Sequence, residues 1–202
     1  MASEGAERII ELYQRKAADW IQRRARTKLI EKPWLDRFQA LLPSSGAILD
    51  LGCGAAVPMA DYLIGLGHPV TGVDSSKAMI DACGKRFPGQ EWIVGDMRQL
   101  ALQRAFSGIL AWDSFFHLGY DDQRLMFPVF RAHAAPSAAL MFTSGSAHGE
   151  AIGEFGGERL YHASLDAAEY RSLLDRNGFR VVSHVVEDPD CGGHTIWLAQ
   201  RM

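Results

Sequence analysis

The chain has 202 residues, of which 48% are hydrophobic and 22% charged, with a formal net charge of −3. This balance predicts one globular domain and offers no basic face for gripping a phosphate backbone, so a nucleic-acid binder is not expected. No apolar run approaches the ~20 residues of a membrane-spanning helix, the polar start lacks a secretory pattern, and Cys53, Cys83 and Cys191 are too few and odd in number for a disulfide framework. A cytoplasmic protein with reduced thiols is the expectation.

Residues 4–30 have a helical period, with Ile9, Leu12, Tyr13, Ala17 and Trp20 near one face and Arg15, Lys16, Arg23, Arg24, Arg26 and Lys28 mostly elsewhere, as on a solvated face. Pro33 suits the first turn of a second short helix that carries Trp34, Leu35, Phe38, Leu41 and Leu42 inward and ends before Pro43. From Gly46 the pattern becomes alternating strands and helices. Strands are predicted at 47–51, 69–73, 91–94, 108–112, 138–143, 180–187 and 195–199, and helices at 57–66, 77–86, 122–134 and 166–177. Most strands are short and apolar on both faces, as in a parallel sheet covered by helices, which predicts a doubly wound α/β fold. The last two strands are separated by too few residues for a helical crossover, so they form an antiparallel hairpin turning at Cys191-Gly192-Gly193. Residues 144–163, rich in glycine, read as a long irregular substrate-covering loop. The chain is expected to be one domain, 1–202, with residues 1–45 a helical cover and 46–202 the core.

Ligands of open α/β sheets sit beyond the C-terminal ends of the strands. The first strand ends in Asp50, and small residues follow at Gly52, Gly54 and Ala56 in a tight turn before a helix. The second ends in Asp74-Ser75-Ser76, at about the 20-residue interval where nucleotide-binding folds place a ribose-binding acid. The third ends in Gly95-Asp96-Met97, an acid for an exocyclic amine beside an apolar side chain for an adenine ring. The fourth ends in Trp112-Asp113-Ser114-Phe115-Phe116-His117. Any one of these acids alone reads equally as a cap or turn residue; the set at successive strand ends reads as a site. The small residues miss the Gly-x-Gly-x-x-Gly spacing of a dinucleotide site, because Val57 stands at the third glycine, and no Gly-Lys-Ser or Gly-Lys-Thr of a phosphate loop is present. Asp50 is awkward beside a pyrophosphate and well placed near a cationic group.

From Asp50 to Ala56, then Gly72-Val73-Asp74-Ser75-Ser76 with Met79, then Gly95-Asp96-Met97, the residues resemble the class I S-adenosylmethionine-dependent methyltransferases. The resemblance runs from about Leu49 to Met202, with Ala56 standing where that family often has a third glycine. It implies a Rossmann-like sheet of seven mostly parallel strands with the last strand antiparallel. It also implies S-adenosylmethionine as cofactor, with S-adenosylhomocysteine as product. Gly52 and Gly54 then pass close to the methionine part, Asp50 supports the loop or the amino group, and Asp74 binds the ribose. Ser75 and Met79 border the adenosine, Asp96 and Met97 hold adenine, and Trp112 and Asp113 flank the sulfonium. Tyr13 and Trp20 are implied as a lid, with plain core packing as the alternative.

The first candidate for a proton acceptor is His117, just beyond the fourth strand; an uncatalytic histidine at a helix start is the alternative. Trp20, Phe116, Tyr161, His162 and His194 are candidate acceptor contacts, with His148 and Glu150 as further polar candidates. Cys191 and His194 have metal-ligand spacing, but no second Cys-x-x-Cys pair completes a zinc set, so no metal is expected. Asp113-Ser114-Phe115-Phe116 lacks the two prolines of the DNA amino-methyltransferases that resemble this fold. A small-molecule acceptor methylated on O, N or S is the simplest expectation. The rivals are a cofactor-binding regulatory module without turnover and, further off, a nicotinamide-dependent oxidoreductase.

Overall fold

Neighbouring residues of a strand face opposite sides of a sheet, and the apolar strands of this chain need a cover on both. The computed structural model describes residues 4–24 and 26–202. In chain order its elements are α1 (Glu4–Arg15), α2 (Ala17–Arg24), α3 (Lys32–Gln39), β1 (Ile48–Leu51), α4 (Met59–Gly65), β2 (Val70–Asp74), α5 (Lys77–Arg86), β3 (Glu91–Val94), β4 (Phe106–Ala111), α6 (Tyr120–His133), β5 (Ala134–Ser144), β6 (Gly149–Phe155), β7 (Glu158–Ser164), α7 (Ala167–Arg176), β8 (Phe179–Asp188) and β9 (His194–Arg201). Short 3-10 turns at Met97–Gln99, Phe115–His117 and Pro189–Cys191 sit beyond β3, β4 and β8.

Seven strands form one sheet in the order β3-β2-β1-β4-β5-β9-β8. β1 pairs in parallel with β2 on one side (Leu51 opposite Val73) and β4 on the other (Asp50 opposite Leu110). The chain thus winds outward to β3, returns, and winds the other way, so the strand order reverses between β1 and β4. That reversal opens a crevice at their C-terminal ends. β9 runs antiparallel to both β5 and β8 and lies between them. The expected terminal hairpin is present, with Gly192 and Gly193 in left-handed conformations at its turn.

Ile48, Leu110, Met141 and Leu198 face one side of the sheet and pack with Trp34, Leu35, Phe38 and Leu63 of α3 and α4. Leu49, Ile109, Leu140 and Trp197 face the other and meet Phe127, Phe130, Tyr170 and Leu174 of α6 and α7. Each such side chain contributes roughly 1.5–3 kcal/mol on burial, which holds the strand ends in fixed register beneath the crevice.

Two expectations are corrected. Residues 4–30 do not form one helix. The chain bends at Lys16, although the backbone bonds Lys16 N–H to Leu12 and Trp20 N–H to Lys16 continue through the bend. Each half has its own partner: Ile9 and Leu12 pack on Phe155, Tyr161 and Ala163, whereas Ala17 packs on Ala55 and Met79. The helix stops at Arg24, and Ala25, inside the expected span, lies outside the described residues. The stretch 144–163 is not irregular either. It holds the antiparallel hairpin β6–β7, closed by Gly156 and Gly157 at φ 60° and 80°. Two successive left-handed residues match the twist of the flanking strands, which is why Gly-Gly serves there.

Candidate active site

The β1 loop is shaped by close approach. Gly52 and Gly54 have φ 75° and 53°, and a Cβ on Gly52 would lie 2.2 Å from Cβ of Ser114. Ser114 in turn donates its hydroxyl to the Leu51 carbonyl at 2.7 Å, locking the ends of β1 and β4 together. Ala56 adopts φ 63° in the same loop, a conformation costing an alanine roughly 1 kcal/mol over glycine. From β2, Asp74 accepts the Gly54 N–H at 2.9 Å and the Ser76 N–H at 2.8 Å, which joins the loop to the start of α5. Burial raises the Asp74 carboxyl, and those two backbone bonds oppose the rise. Asp50 is fully buried behind the loop; burial first, and the Asp74 charge second, push its carboxyl up to about 7.

Beyond β3, Asp96 accepts the Arg98 N–H at 2.9 Å and is clamped by the Arg98 guanidinium, which also reaches Asp122 at 2.8 Å. Burial works against the charge of Asp96, but these Arg98 bonds prevail and hold its carboxyl below the usual range. Beyond β4, Asp113 sits at φ 48° and its N–H bonds Thr143 Oγ1 at 2.9 Å. A non-glycine residue held there stores strain that the surrounding contacts must offset. His194 Nε2 lies 3.0 Å from Asp113 Oδ1, while its Nδ1 lies 2.6 Å from the Cys191 carbonyl. A carbonyl and a carboxylate both only accept, so His194 is an imidazolium with both nitrogens donating. The Asp113 bond, opposed by burial, carries its pKa to about 9. The folded value lies above the unfolded ~6.5, so this contribution to stability is complete below that pH and lost as pH rises through about 9. Thermal unfolding followed from pH 7 to 10 is expected to show an alkaline decline that His194→Asn flattens.

The cover closes over these strand ends. One cavity is walled by Ile9, Ile10, Tyr13 and Trp20 above and by Gly52, Gly54, Asp74, Ser75, Met79, Asp96, Met97, Asp113 and His117 below. A second adjoins it across Trp20, Gly52, Gly54 and Asp113, and reaches Arg24, Asp50 and Trp112. Trp112 Nε1 is buried there without a hydrogen-bond partner among the described residues. The Tyr13 hydroxyl lies 3.1 Å from His117 Nε2, and His117 Nδ1 lies 2.8 Å from the Tyr161 carbonyl. The carbonyl fixes the proton on Nδ1, so Nε2 accepts from Tyr13. Burial is the main cause that lowers His117 to about 4 and raises the Tyr13 phenol well above its ordinary value.

Residues 48–137 match the family model described as a methyltransferase domain. That segment is similar to methyltransferase domains, and the seven-stranded sheet has the Rossmann-like fold of the class I methyltransferases. No curated protein matches the chain by sequence. Among solved structures, the 1,6-didemethyltoxoflavin-N1-methyltransferase of Burkholderia thailandensis is 18% identical with a TM-score of 0.76, over 98% of this chain and 88% of that one. CalS10, an amino pentose methyltransferase from Micromonospora echinaspora, is 17% identical with a TM-score of 0.71, over 92% and 96%. The glycopeptide N-methyltransferase MtfA is 17% identical with a TM-score of 0.68, over 85% and 88%. At these identities the likeness is one of fold.

The sequence-predicted residues are distributed unevenly around the crevice. Tyr13, Trp20, Asp50, Gly52, Gly54, Asp74, Ser75, Met79, Asp96, Met97, Trp112, Asp113 and His117 all line the two joined cavities. Phe116 and His162 line a neighbouring groove instead. His194 acts through Asp113 and stands beside the Trp112 ring, 5.4 Å between centroids. Tyr161 is not brought to the cavities: it is 4% exposed, packed in the α1–hairpin contact, with its hydroxyl on Glu150. Two charged cavity residues, Arg24 and Arg98, were not foreseen. Arg24 was read within a solvated charge run, yet it pairs with the buried Glu31 and lines the second cavity. Arg98 had no signal beyond lying two residues after Asp96.

Proposed function

We propose that this protein moves the methyl group of S-adenosylmethionine to an O, N or S atom of a small molecule. The observation that carries the reading is the electrostatics of the β1 loop. Two carboxylates, the buried Asp50 and the half-buried Asp74, lie beside two glycines with no cation bonded to either among the described residues, and Asp50 is driven to about 7. A ligand carrying an ammonium and a sulfonium relieves that repulsion; a pyrophosphate aggravates it. The orphaned Trp112 Nε1–H and the Arg24 charge provide donors for a carboxylate at the same end. The residues present therefore fit the cofactor. Solved neighbours of the same fold carry S-adenosylhomocysteine or S-adenosylmethionine in their crystals.

In this reading Gly52 and Gly54 face the methionine part, Asp50 its amino group and Arg24 its carboxylate. Asp74 takes the ribose hydroxyls, Ser75 and Met79 border the adenosine, and Met97 lies against adenine beside the Asp96–Arg98 clamp. Trp112 and Asp113 flank the reacting centre. S-adenosylmethionine supplies, when bound, a methyl group already activated on positively charged sulfur. The protein's task is alignment and exclusion of water, and Tyr13 with Trp20 forms the lid that does so. His117, with both nitrogens engaged, seats Tyr13 in the closed position. One domain over 1–202, with 1–45 as cover, and a cytoplasmic location complete the proposal. No described helix is long and apolar enough to cross a membrane.

S-adenosylhomocysteine is expected to raise the unfolding temperature by several degrees, and NAD is expected to leave it unchanged. Stabilisation by NAD alone would overturn the reading. Saturable binding of S-adenosylmethionine without methyl transfer to any acceptor would make the chain a binding module.

A further inference from the structure

Beyond β3 the first cavity is edged by Asp96, Met97 and Arg98. An ionised carboxylate offers about four lone-pair sites. At Asp96 four N–H contacts meet them, all from Arg98. Oδ1 accepts the Arg98 backbone N–H at 2.9 Å and Nε–H at 3.0 Å, and Oδ2 accepts Nε–H at 2.9 Å and Nη2–H at 2.6 Å. The guanidinium is anchored on its other side by Asp122, at the start of α6, which lies 2.8 Å from Nη1. A planar fork held between two carboxylates combines charge with fixed geometry, and a neutral amine does not displace it.

Arginine has five N–H donors in a rigid fork. In Arg98, Nε–H and one hydrogen on each of Nη1 and Nη2 are taken by Asp96 and Asp122, which leaves one N–H on each terminal nitrogen without a partner among the described residues. The open polar groups that the Asp96–Arg98 pair presents are therefore donors and not acceptors. Val73, Met79, Met97 and Leu118 supply apolar wall to the same cavity. Such walls hold a flat ring by dispersion contact, which does not tell one purine from another.

We propose that Arg98 sets the base selectivity of the nucleoside site: by closing Asp96 it leaves the 6-amino group of adenine without a charged acceptor, and the site takes a 6-oxopurine nucleoside as readily as adenosine. The inference rests on the cofactor reading above and deepens it. A carbonyl oxygen at the 6-position suits the two open N–H groups of Arg98, whereas an amine offers them nothing. The amino-acid and ribose contacts of that reading belong to other residues, Asp50, Gly52, Gly54 and Asp74, so a change of base leaves them in place. One bond at Asp96 does not depend on the Arg98 side chain. The backbone N–H of residue 98 donates to Oδ1 and caps the 3-10 turn. Removing the guanidinium therefore frees Oδ2 while the cap keeps the carboxylate aimed as before, and selectivity for the amine then emerges.

The test is calorimetric titration of the full chain at pH 7.5 with three ligands. They are S-adenosylhomocysteine, its 6-deamino analogue, in which purine replaces adenine, and S-inosylhomocysteine, in which oxygen replaces the amino group. The wild type is expected to bind all three within about tenfold of one another, with S-inosylhomocysteine the tighter of the two analogues. A charge-assisted bond to the amine is worth roughly tenfold or more in affinity, so a 6-deamino analogue bound beyond that margin more weakly than S-adenosylhomocysteine overturns the proposal. Arg98→Met keeps the apolar stem and removes the N–H donors. It is expected to widen the preference for S-adenosylhomocysteine over the 6-deamino analogue by about fivefold or more. It is also expected to make S-inosylhomocysteine the weakest of the three, since its oxygen then faces an open carboxylate. A preference unchanged from wild type removes Arg98 as the selecting residue. Should Arg98→Met not fold by circular dichroism, the three wild-type affinities decide alone. Failure of S-adenosylhomocysteine to bind the wild type at all strikes the cofactor reading instead.

Discussion

Asp74→Ala is expected to weaken binding of S-adenosylhomocysteine by roughly a hundredfold. The carboxylate has two tasks in the same place. Its oxygens hold the Gly54 and Ser76 N–H groups, and in the proposed complex they also receive the ribose hydroxyls. A charge-assisted hydrogen bond contributes about 1.5–3 kcal/mol, and a buried N–H left unpaired costs ~1–3 kcal/mol. Loss of about 3 kcal/mol in the complex corresponds to about a hundredfold in affinity. Alanine also removes a half-buried carboxylate that repels Asp50, so the free protein need not be less stable. Binding and folding therefore separate: calorimetry is expected to show the affinity loss while circular dichroism shows a folded chain. Asp74→Asn keeps one acceptor oxygen but turns an N–H₂ toward a backbone N–H, and falls between alanine and wild type. Affinity within threefold of wild type in Asp74→Ala would remove Asp74 from the ribose.

The strand ends were legible because they obey local rules. Asp50, Asp74, Asp96 and Asp113 each follow a short apolar run, and doubly wound sheets place ligands where such runs stop. The terminal hairpin was legible because the residues between 187 and 195 leave no room for a crossover. The β6–β7 hairpin was hidden for a physical reason. Glycines break its alternation, and the buried face at Phe155, Tyr161 and Ala163 is completed by Ile9 and Leu12, about 150 residues away in sequence. The bend at Lys16 was hidden likewise, since two different surfaces claim the two halves of one helical pattern. Gly156-Gly157 was the overlooked signal. The candidate acceptor contacts were the least legible: Tyr161 is a well-placed aromatic in sequence, but strand alternation turns it toward α1 and leaves its neighbour His162 on a groove apart from the two joined cavities.

Lowering the pH from 8 to 5.5 is expected to weaken binding of S-adenosylmethionine at least tenfold, through protonation of Asp50. Burial, and then the charge of Asp74, place its carboxyl at about 7 in the free protein. A bound ammonium favours the carboxylate and pulls that value down, so binding releases a proton at pH near or below 7, and affinity falls by up to ~10-fold per pH unit once Asp50 is protonated. For the free protein, the folded pKa of Asp50 lies above the unfolded ~3.9. The folded state therefore holds the extra proton between about pH 4 and 7, and this group's contribution to stability declines as pH rises through that window, by on the order of 4 kcal/mol. His117 runs the other way: its folded value of about 4 lies below the unfolded ~6.5, so its share is lost as pH falls through that range. Thermal scans of the wild type alone mix the two, and Asp50→Asn separates them. That variant is expected to bind S-adenosylmethionine more weakly at pH 8, to lose the pH slope of affinity, and to release no proton when calorimetry is run in buffers of different ionisation enthalpy. A slope that survives in Asp50→Asn would assign the linked proton to Asp74, the other acid of the loop.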